Sequence, residues 1–296
     1  MRFRAGSAAA AAAVIVGAIV IAISLADGDE AAQVTGTDDP GVAHIHGLGI
    51  DPSDDALLAA THFGVFRIPE RGEPTRIADR FQDTMGFTVV GPDHFLASGH
   101  PDMQDEALRP PAGKPPLLGL IESTDGAKSW VPLSLLGEAD FHALVAAHDR
   151  IYGYDSTNQR LMVSTDGRNW ETRSQGKLLI SLAVDPNDPE LIVATGEPGG
   201  VYLSRDGGRT FERTPGAPPM LWLSWDDETG LWGAADDGTV LQSTDGGASW
   251  RAAGKVDEAP AALLVHRGQL YVGLADGSIV RSADNAHSWD RVFPRR

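Results

Sequence analysis

The sequence predicts an all-β protein built as a six-bladed β-propeller, with an N-terminal signal or anchor segment before it. Five short segments repeat one pattern of the type Ser-Thr-Asp-Gly-x-x-Ser-Trp, and their first residues are 41, 40, 39 and 39 positions apart. Between them lie short apolar or alternating runs, cut by Asp-Pro, Gly-Gly and Asp-Gly, which are typical of strands joined by turns. Four such strands in about forty residues form one propeller blade, and the fixed period indicates that the blades stack on their neighbours.

The N-terminal residues 1–26 predict export. Arg2 and Arg4 precede an apolar stretch at 8–25, which is 18 residues long and ends in small residues. This pattern is typical of a signal peptide, and the length also suits a membrane anchor. Both possibilities stay open, and both place the protein outside the cytoplasm, either secreted or anchored to the cytoplasmic membrane by this segment alone. Residues 27–41 are small and acidic, which indicates a linker.

Composition limits the partners. The chain has a formal net charge of −17 and no cysteine. Removal of residues 1–26 takes away two arginines and no acid, which leaves −19. Such a field repels nucleic acid and favours cationic partners or metal ions. Without cysteine, neither a disulfide framework nor a lipid on a Cys side chain is possible.

The propeller is predicted over residues 42–296. The first blade covers 42–78 and lacks the repeated segment, and the second covers 83–132. The second blade is lengthened by the proline-rich stretch 109–116, which indicates a surface loop. The four remaining repeats follow at the regular period. How the ring closes does not follow from the sequence.

The five repeated segments predict turns with a structural role. The Asp carboxylate can accept bonds from the backbone N–H groups of its own turn, Gly supplies a positive φ, and the closing Trp or Phe can pack between blades. These segments resemble the Asp-box (BNR) repeats of sialidases, sortilin-type receptors and related propellers. The resemblance implies a structural role, away from the binding face, for the five aspartates: Asp125, Asp166, Asp206, Asp245 and Asp284.

Alignment of the first strand of each blade predicts a ligand site at one mouth of the central channel. One level of the ring carries, in blade order, His46, Met85, His142, Ile180, Leu221 and Ala261. The level just outside it carries His44, Asp83 and Asp140, and the ends of the second strands add His62, His100 and Asp155. Five of the nine histidines therefore gather in blades 1–3, whereas blades 4–6 are apolar at this level.

Imidazole with a thioether suits copper, and imidazole with carboxylate suits zinc or iron. We therefore predict a transition metal, copper first and zinc second, at His46, Met85 and His142. The other side chains named above would surround it and complete a ligand-binding site. A structural hydrogen-bonded network at the channel mouth is the alternative reading of the same residues.

Two other functions stay open. A glycoside hydrolase needs two carboxyl groups, and Asp83 with Asp140 would supply them. The segment around Arg67 is similar to the short motif that precedes the Asp-boxes of sialidases, although Arg67 belongs to a third strand and not to the channel wall. A protein-binding assembly or receptor-like module would use a broad face or the loop at 110–116. No phosphate loop is visible, so no nucleotide cofactor is expected.

The blade pattern also looks like a bacterial family of exported Asp-box proteins, which are usually named glycosylhydrolase or exo-α-sialidase. The quoted features are the segments 44–47, 60–62, 85–87, 98–101 and 140–142. The resemblance implies the fold more directly than it implies an activity.

Overall fold

A computed structural model describes residues 39–197 and 199–293, and these residues form six four-stranded antiparallel sheets arranged as a propeller. The six-bladed all-β prediction is confirmed. The predicted signal or anchor segment, 1–26, and most of the predicted linker lie outside the described residues. Within the described part of the chain, no helix combines the length and the apolar character needed to cross a membrane.

Each blade consists of four strands that are consecutive in sequence, and each strand is hydrogen-bonded to the next. The strands of blades 1 to 3 are β1 Ile45–Asp51, β2 Ala56–Thr61, β3 Gly64–Ile68, β4 Thr75–Arg76; β5 Asp83–Gly91, β6 His94–His100, β7 Leu120–Ser123, β8 Val131–Ser134; and β9 Phe141–Ala147, β10 Arg150–Asp155, β11 Arg160–Ser164, β12 Glu171–Gln175. Those of blades 4 to 6 are β13 Leu179–Asp185, β14 Asp188–Gly196, β15 Gly200–Ser204, β16 Glu212–Arg213; β17 Trp222–Asp226, β18 Gly230–Ala234, β19 Thr239–Ser243, β20 Arg251–Lys255; and β21 Pro260–His266, β22 Gln269–Leu274, β23 Ile279–Ser282, β24 Asp290–Phe293. Two short 3-10 helices, Ile77–Asp79 and Glu106–Leu108, lie in loops.

The ring closes by side-chain packing between the first and last blades. The inner strands β1 and β21 lie side by side, and every sheet keeps its own four consecutive strands, so the described residues close the ring without a strand shared between the termini. Ile45 and Phe66 of blade 1 are buried with Ile279 of blade 6 in one apolar cluster. Closure therefore depends on the hydrophobic effect at this interface.

Large aromatic side chains fill the other interfaces, as the repeated segments predict. Trp130 is 2% exposed and packs with Leu58 and Val65 of the preceding blade. Trp170 of blade 3 donates from Nε1 to the Ser134 hydroxyl of blade 2 at 2.9 Å. Each such residue ends a turn between the third and fourth strands, so one motif both shapes the turn and packs at the interface with the preceding blade.

The five repeated aspartates are hydrogen-bonded inside their own turns. In blade 5, Asp245 accepts from the Ser249 backbone N–H at 2.8 Å and from the Ser249 hydroxyl at 2.6 Å. Ser243 donates to Asp245 at 2.9 Å and accepts from the Gly247 N–H at 2.9 Å. The same pattern recurs, with local substitutions, at Asp125, Asp166, Asp206 and Asp284. These carboxylates therefore stabilise turns on the outer part of the blades.

Candidate functional site

The inner strands surround a central channel with a volume of about 540 Å³. We call the end at which β1, β5 and β9 begin the mouth. His46, Met85 and His142 line the channel there, as the alignment of the blades predicts. The long connection from β6 to β7, residues 101–119, starts directly after His100 and so lies on the same face.

A β-bulge sets the level of these side chains. In five blades the pairing between the first and second strands skips one residue of the first strand: His46, Met85, His142, Ile180 and Ala261. A bulge leaves one residue outside the ladder and redirects its side chain. The residues that the blade alignment placed at one level of the ring therefore occupy the same bulge position in five blades.

Backbone geometry brings Asp83 and His100 together. They are Cα partners, at the start of β5 and the end of β6. Gly99, between Ser98 and His100, has a φ of +136°, and a Cβ there would lie 2.1 Å from the Asp83 carbonyl oxygen. Glycine is required at this position because any side chain would push the two strand ends apart.

A tight turn after β2 presents His62 to the same place. The Thr61 hydroxyl donates to the Gly64 carbonyl at 2.8 Å and accepts from the Phe63 N–H at 3.0 Å. The His62 N–H donates to the His44 carbonyl at 3.2 Å. The His44 ring lies 6.0 Å from that of His62, at the exposed rim of the mouth.

Asp83 is the centre of the first cluster. His62 Nδ1 and His100 Nδ1 each lie 3.1 Å from Asp83 Oδ2, and His46 Nε2 lies 3.5 Å from Asp83 Oδ1. His46 Nε2 and Asp83 Oδ1 are both buried and have no hydrogen-bond partner within the described residues. Three imidazoles from blades 1 and 2 thus converge on one carboxylate.

Asp140 is the centre of a second cluster, in blade 3. Its Oδ2 lies 2.7 Å from His142 Nε2, and it accepts from the Ser156 hydroxyl at 3.1 Å. His100 connects the clusters, since its Nε2 lies 3.7 Å from the same oxygen. Sequence reasoning missed Ser156, although its place after the second strand of blade 3 matches that of His62 in blade 1.

Asp155 holds the backbone of the second cluster in place. It is fully buried, and its carboxylate accepts from Arg160 Nε and Asn158 Nδ2, both at 2.8 Å. Its other oxygen accepts from the Asp140 backbone N–H at 3.2 Å. The structure therefore places Asp155 in an internal network that holds the backbone of Asp140. Arg67, in β3, forms an ion pair with Asp54.

The local environment lowers the pKa values of both His46 and Asp83. Burial, reinforced by the neighbouring imidazoles of His62, His142 and His44, lowers the pKa of His46 to about 4. Burial alone would raise the pKa of Asp83, but hydrogen bonds from His100 and His62 outweigh it and the pKa falls well below its usual range. A neutral imidazole thus faces an ionised carboxylate at neutral pH.

Two further pKa values shift in the same network. The hydrogen bond to Asp83 raises the pKa of His100 above its usual value. At Asp140, burial opposes ionisation, but the hydrogen bond from His142 and the electrostatic attraction to it give a net lowering of the pKa. Both carboxyl groups of the mouth are therefore held as carboxylates.

Within the described residues, one group of three could hold a metal ion: His46, His62 and Asp83, whose ligand atoms all lie within 4.8 Å of one another. Ligand atoms around a tetrahedral zinc ion are about 3.3 Å apart, since each bond is about 2.0–2.1 Å long. The contacts to Asp83 are already near this separation. The group contains one predicted ligand, His46, together with two residues predicted to surround it. His142 is instead paired with Asp140, and Met85 lines the channel.

The opposite side of the mouth is apolar. Ile180 and Trp222 line it from blades 4 and 5, and Trp222 Nε1 donates to the Pro260 carbonyl at 2.7 Å. The alignment of the blades in the sequence predicted Leu221 at this level. The structure has Trp222 there instead, because the inner strand of blade 5 lacks the bulge of the other five blades. The polar half-ring of blades 1–3 therefore faces an apolar half-ring.

Comparisons with known proteins support the fold. No protein-family model and no curated protein sequence matches the chain. A chain of the nidogen/laminin complex is similar in structure at 13% identity, with a TM-score of 0.59 over 76% of this chain and 88% of that one. The GH74 xyloglucanase from Xanthomonas campestris matches at 15% identity and a TM-score of 0.56 over 85% of this chain, which spans 45% of the enzyme.

YCF48 bound to D1 peptide is a third similar structure, at 13% identity and a TM-score of 0.46 over 70% of this chain and 67% of that one. Two of these similar proteins are thus in complexes with a protein or peptide, and one is a glycoside hydrolase. At such identities the likeness shows the propeller fold alone.

Proposed function

We propose that this chain is an exported Asp-box propeller that binds one divalent transition-metal ion at the mouth, through His46, His62 and Asp83. The ion is zinc ahead of copper. Export rests on the pattern of residues 1–26, and the Asp-box assignment rests on the five repeated turns. Secreted and membrane-anchored forms are both compatible with that pattern.

The unpaired atoms His46 Nε2 and Asp83 Oδ1 carry this proposal. They face each other at 3.5 Å, too far apart for a strong hydrogen bond, and both are buried without another partner among the described residues. Buried polar atoms are normally hydrogen-bonded, because leaving them unpaired costs about 1–3 kcal/mol each. A metal ion between them would satisfy both atoms.

The protonation states also favour a metal ligand set. A ligating His must be neutral and a ligating Asp must be ionised, and the pKa shifts of His46 and Asp83 run in these directions. His100, which is bonded to Asp83, would orient the ligating carboxylate from outside the metal.

Zinc fits this set better than copper does. Two imidazoles and one carboxylate with an open position are common zinc ligands and also suit iron(II), whereas a thioether favours Cu(I). The group of three needs no sulfur. Met85, on the neighbouring channel wall, is the residue through which copper would be selected.

A glycoside hydrolase that uses Asp83 and Asp140 is the weaker alternative. One carboxyl group of such a pair must be protonated at working pH to act as general acid. Here the pKa values of both groups are lowered by bonded histidines. The likeness to a xyloglucanase adds only the fold.

A protein-binding module is also weaker. The connection at 101–119 buries Leu108, Leu117 and Leu118, and among its large apolar side chains only Met103, 43% exposed, is open to solvent in the described structure. Protein-binding surfaces usually present a contiguous apolar patch. The exposed apolar residues of its proline-rich stretch 109–116, Pro111, Ala112, Pro115 and Pro116, are small and are interrupted by Gly113 and Lys114, so they form no large apolar patch.

The test is elemental analysis and calorimetric zinc titration of the full chain, purified in mild detergent without chelator. We expect one zinc ion per chain, with affinity at least about 100-fold weaker in His46→Ala and in Asp83→Asn. His94→Ala is the matched control, because His94 pairs with Glu122 at the far end of its blade. Absence of zinc uptake, or equal affinity in wild type and His46→Ala, would refute the proposal.

A further inference from the structure

We infer that the channel binds a small organic acid, whose carboxylate completes the coordination of the metal and whose apolar body lies along the channel. This inference rests on the metal site proposed above. It adds the chemical class of the ligand.

The first argument is the one-sided placement of the metal ligands. His46 and His62 belong to blade 1 and Asp83 to blade 2, so the protein approaches the ion from one side of the mouth. Ile180 and Trp222, across the channel, offer no metal-ligating atom. A zinc ion with three protein ligands keeps a position open for water or a ligand. Because His46 also lines the channel, a ligand in the channel would reach that position.

The second argument is the lining of the channel. The described residues that line it include no Asp, Glu, Lys or Arg, although charged residues make up 22% of the chain. Half-buried apolar side chains follow one another from the mouth inwards, with Ile180 and Trp222 first and Val89, Val145 and Leu263 deeper. Thr88, Ser181, Ser224 and His266 also line the channel, but the hydroxyls of Ser181 and Ser224 already accept hydrogen bonds from the backbone N–H groups of Leu223 and Val265. An apolar ligand would therefore remove mainly the surface of the larger apolar side chains from water.

The third argument is size. A volume of about 540 Å³ lies within the range of about 300–1,000 Å³ typical of small-molecule sites. Met85 and Val89 are four positions apart on β5, which corresponds to about 13 Å at the rise of an extended strand. This depth accommodates a medium-length carbon chain with its head at the mouth.

Polarity fixes the orientation of this ligand. The carboxylate would meet the metal and the imidazoles of blades 1–3. The Trp222 ring offers an apolar face for the chain, because its only N–H is already bonded to Pro260. A zwitterion or a sugar would instead leave polar groups unpaired against the apolar half of the mouth.

The test is a chain-length series on the zinc-loaded full chain, in which acetate, butyrate, hexanoate and octanoate are titrated by calorimetry. We expect affinity to rise with length, by up to about fourfold for each buried methylene. Zinc-free protein should bind octanoate at least about tenfold more weakly. With cobalt(II) in place of zinc, acetate and octanoate should both change the visible spectrum of the metal.

Two variants distinguish binding of the carbon chain in the channel from binding of the metal. Leu263→Ser should weaken octanoate binding about tenfold and leave acetate and zinc binding unchanged. Val131→Ser is the control, because it also replaces an apolar side chain with serine but lies on an outer strand, where Val131 is 54% exposed. Zinc uptake without chain-length dependence, or octanoate affinity equal with and without zinc, would overturn this inference alone. Absence of zinc uptake would overturn the proposed function as well.

Discussion

Closure of the ring between blades 1 and 6 can be tested by a double-mutant cycle. Ile45 is 2% exposed, and its side chain lies over Gly273 of blade 6. Ile45→Ala would leave a cavity between two rigid sheets and should cost about 2–5 kcal/mol of the free energy of unfolding. Gly273→Ala would place a methyl group 2.9 Å from Ile45 Cγ2, which should cost about 1–3 kcal/mol through overpacking.

The two changes should compensate each other. In the double variant the new methyl group of residue 273 enters the space that the Ile45 side chain leaves. We therefore expect the double variant to be at least about 1 kcal/mol more stable than the sum of the single changes predicts. Equilibrium urea unfolding of all four proteins measures this coupling. Additivity within about 0.3–0.5 kcal/mol would show that these blades do not pack as described.

Three further predictions concern the site and the turns. Asp83→Asn should lower the pKa of His100, which the carboxylate raises, and an unchanged His100 titration by NMR would contradict the pairing. Between pH 6.5 and about 4, unfolded His46 takes up a proton that the folded, half-buried side chain does not, so its contribution to stability falls as pH falls. Urea unfolding of metal-free protein should show wild type losing about 3 kcal/mol more over this range than His46→Gln, and parallel losses would refute the assignment. Asp245→Ala removes the acceptor of two Ser249 hydrogen bonds and should cost about 1–3 kcal/mol in thermal unfolding with zinc affinity unchanged, whereas a loss of zinc binding would contradict a purely structural role.

The fold followed from the sequence because its signals are local and repeated. The turn at Asp245 depends on residues of a single repeat, and the packing of Trp130 joins two adjacent repeats in a way that recurs around the ring. Ring closure could not be predicted in this way. Contacts such as that of Ile45 with Gly273 join residues more than two hundred positions apart and follow no repeat.

The candidate site was predicted at the level of strands but not of atoms. The blade alignment brought His46, Met85 and His142 to one level, because a bulge recurs in those blades. It did not show that His62 and His100 share one oxygen of Asp83, since that depends on the turn after β2 and on Gly99. It also missed Trp222, because blade 5 lacks the bulge.

Anomalous X-ray diffraction at the zinc absorption edge, from crystals of the zinc-loaded protein, tests the central claim most directly. We predict one strong peak at the mouth, about 2.0–2.1 Å from a nitrogen of His46, a nitrogen of His62 and an oxygen of Asp83. A peak between His142 and Met85 would contradict this ligand set. Zinc only at exposed side chains, such as His94 or His287, would contradict a metal site at the mouth.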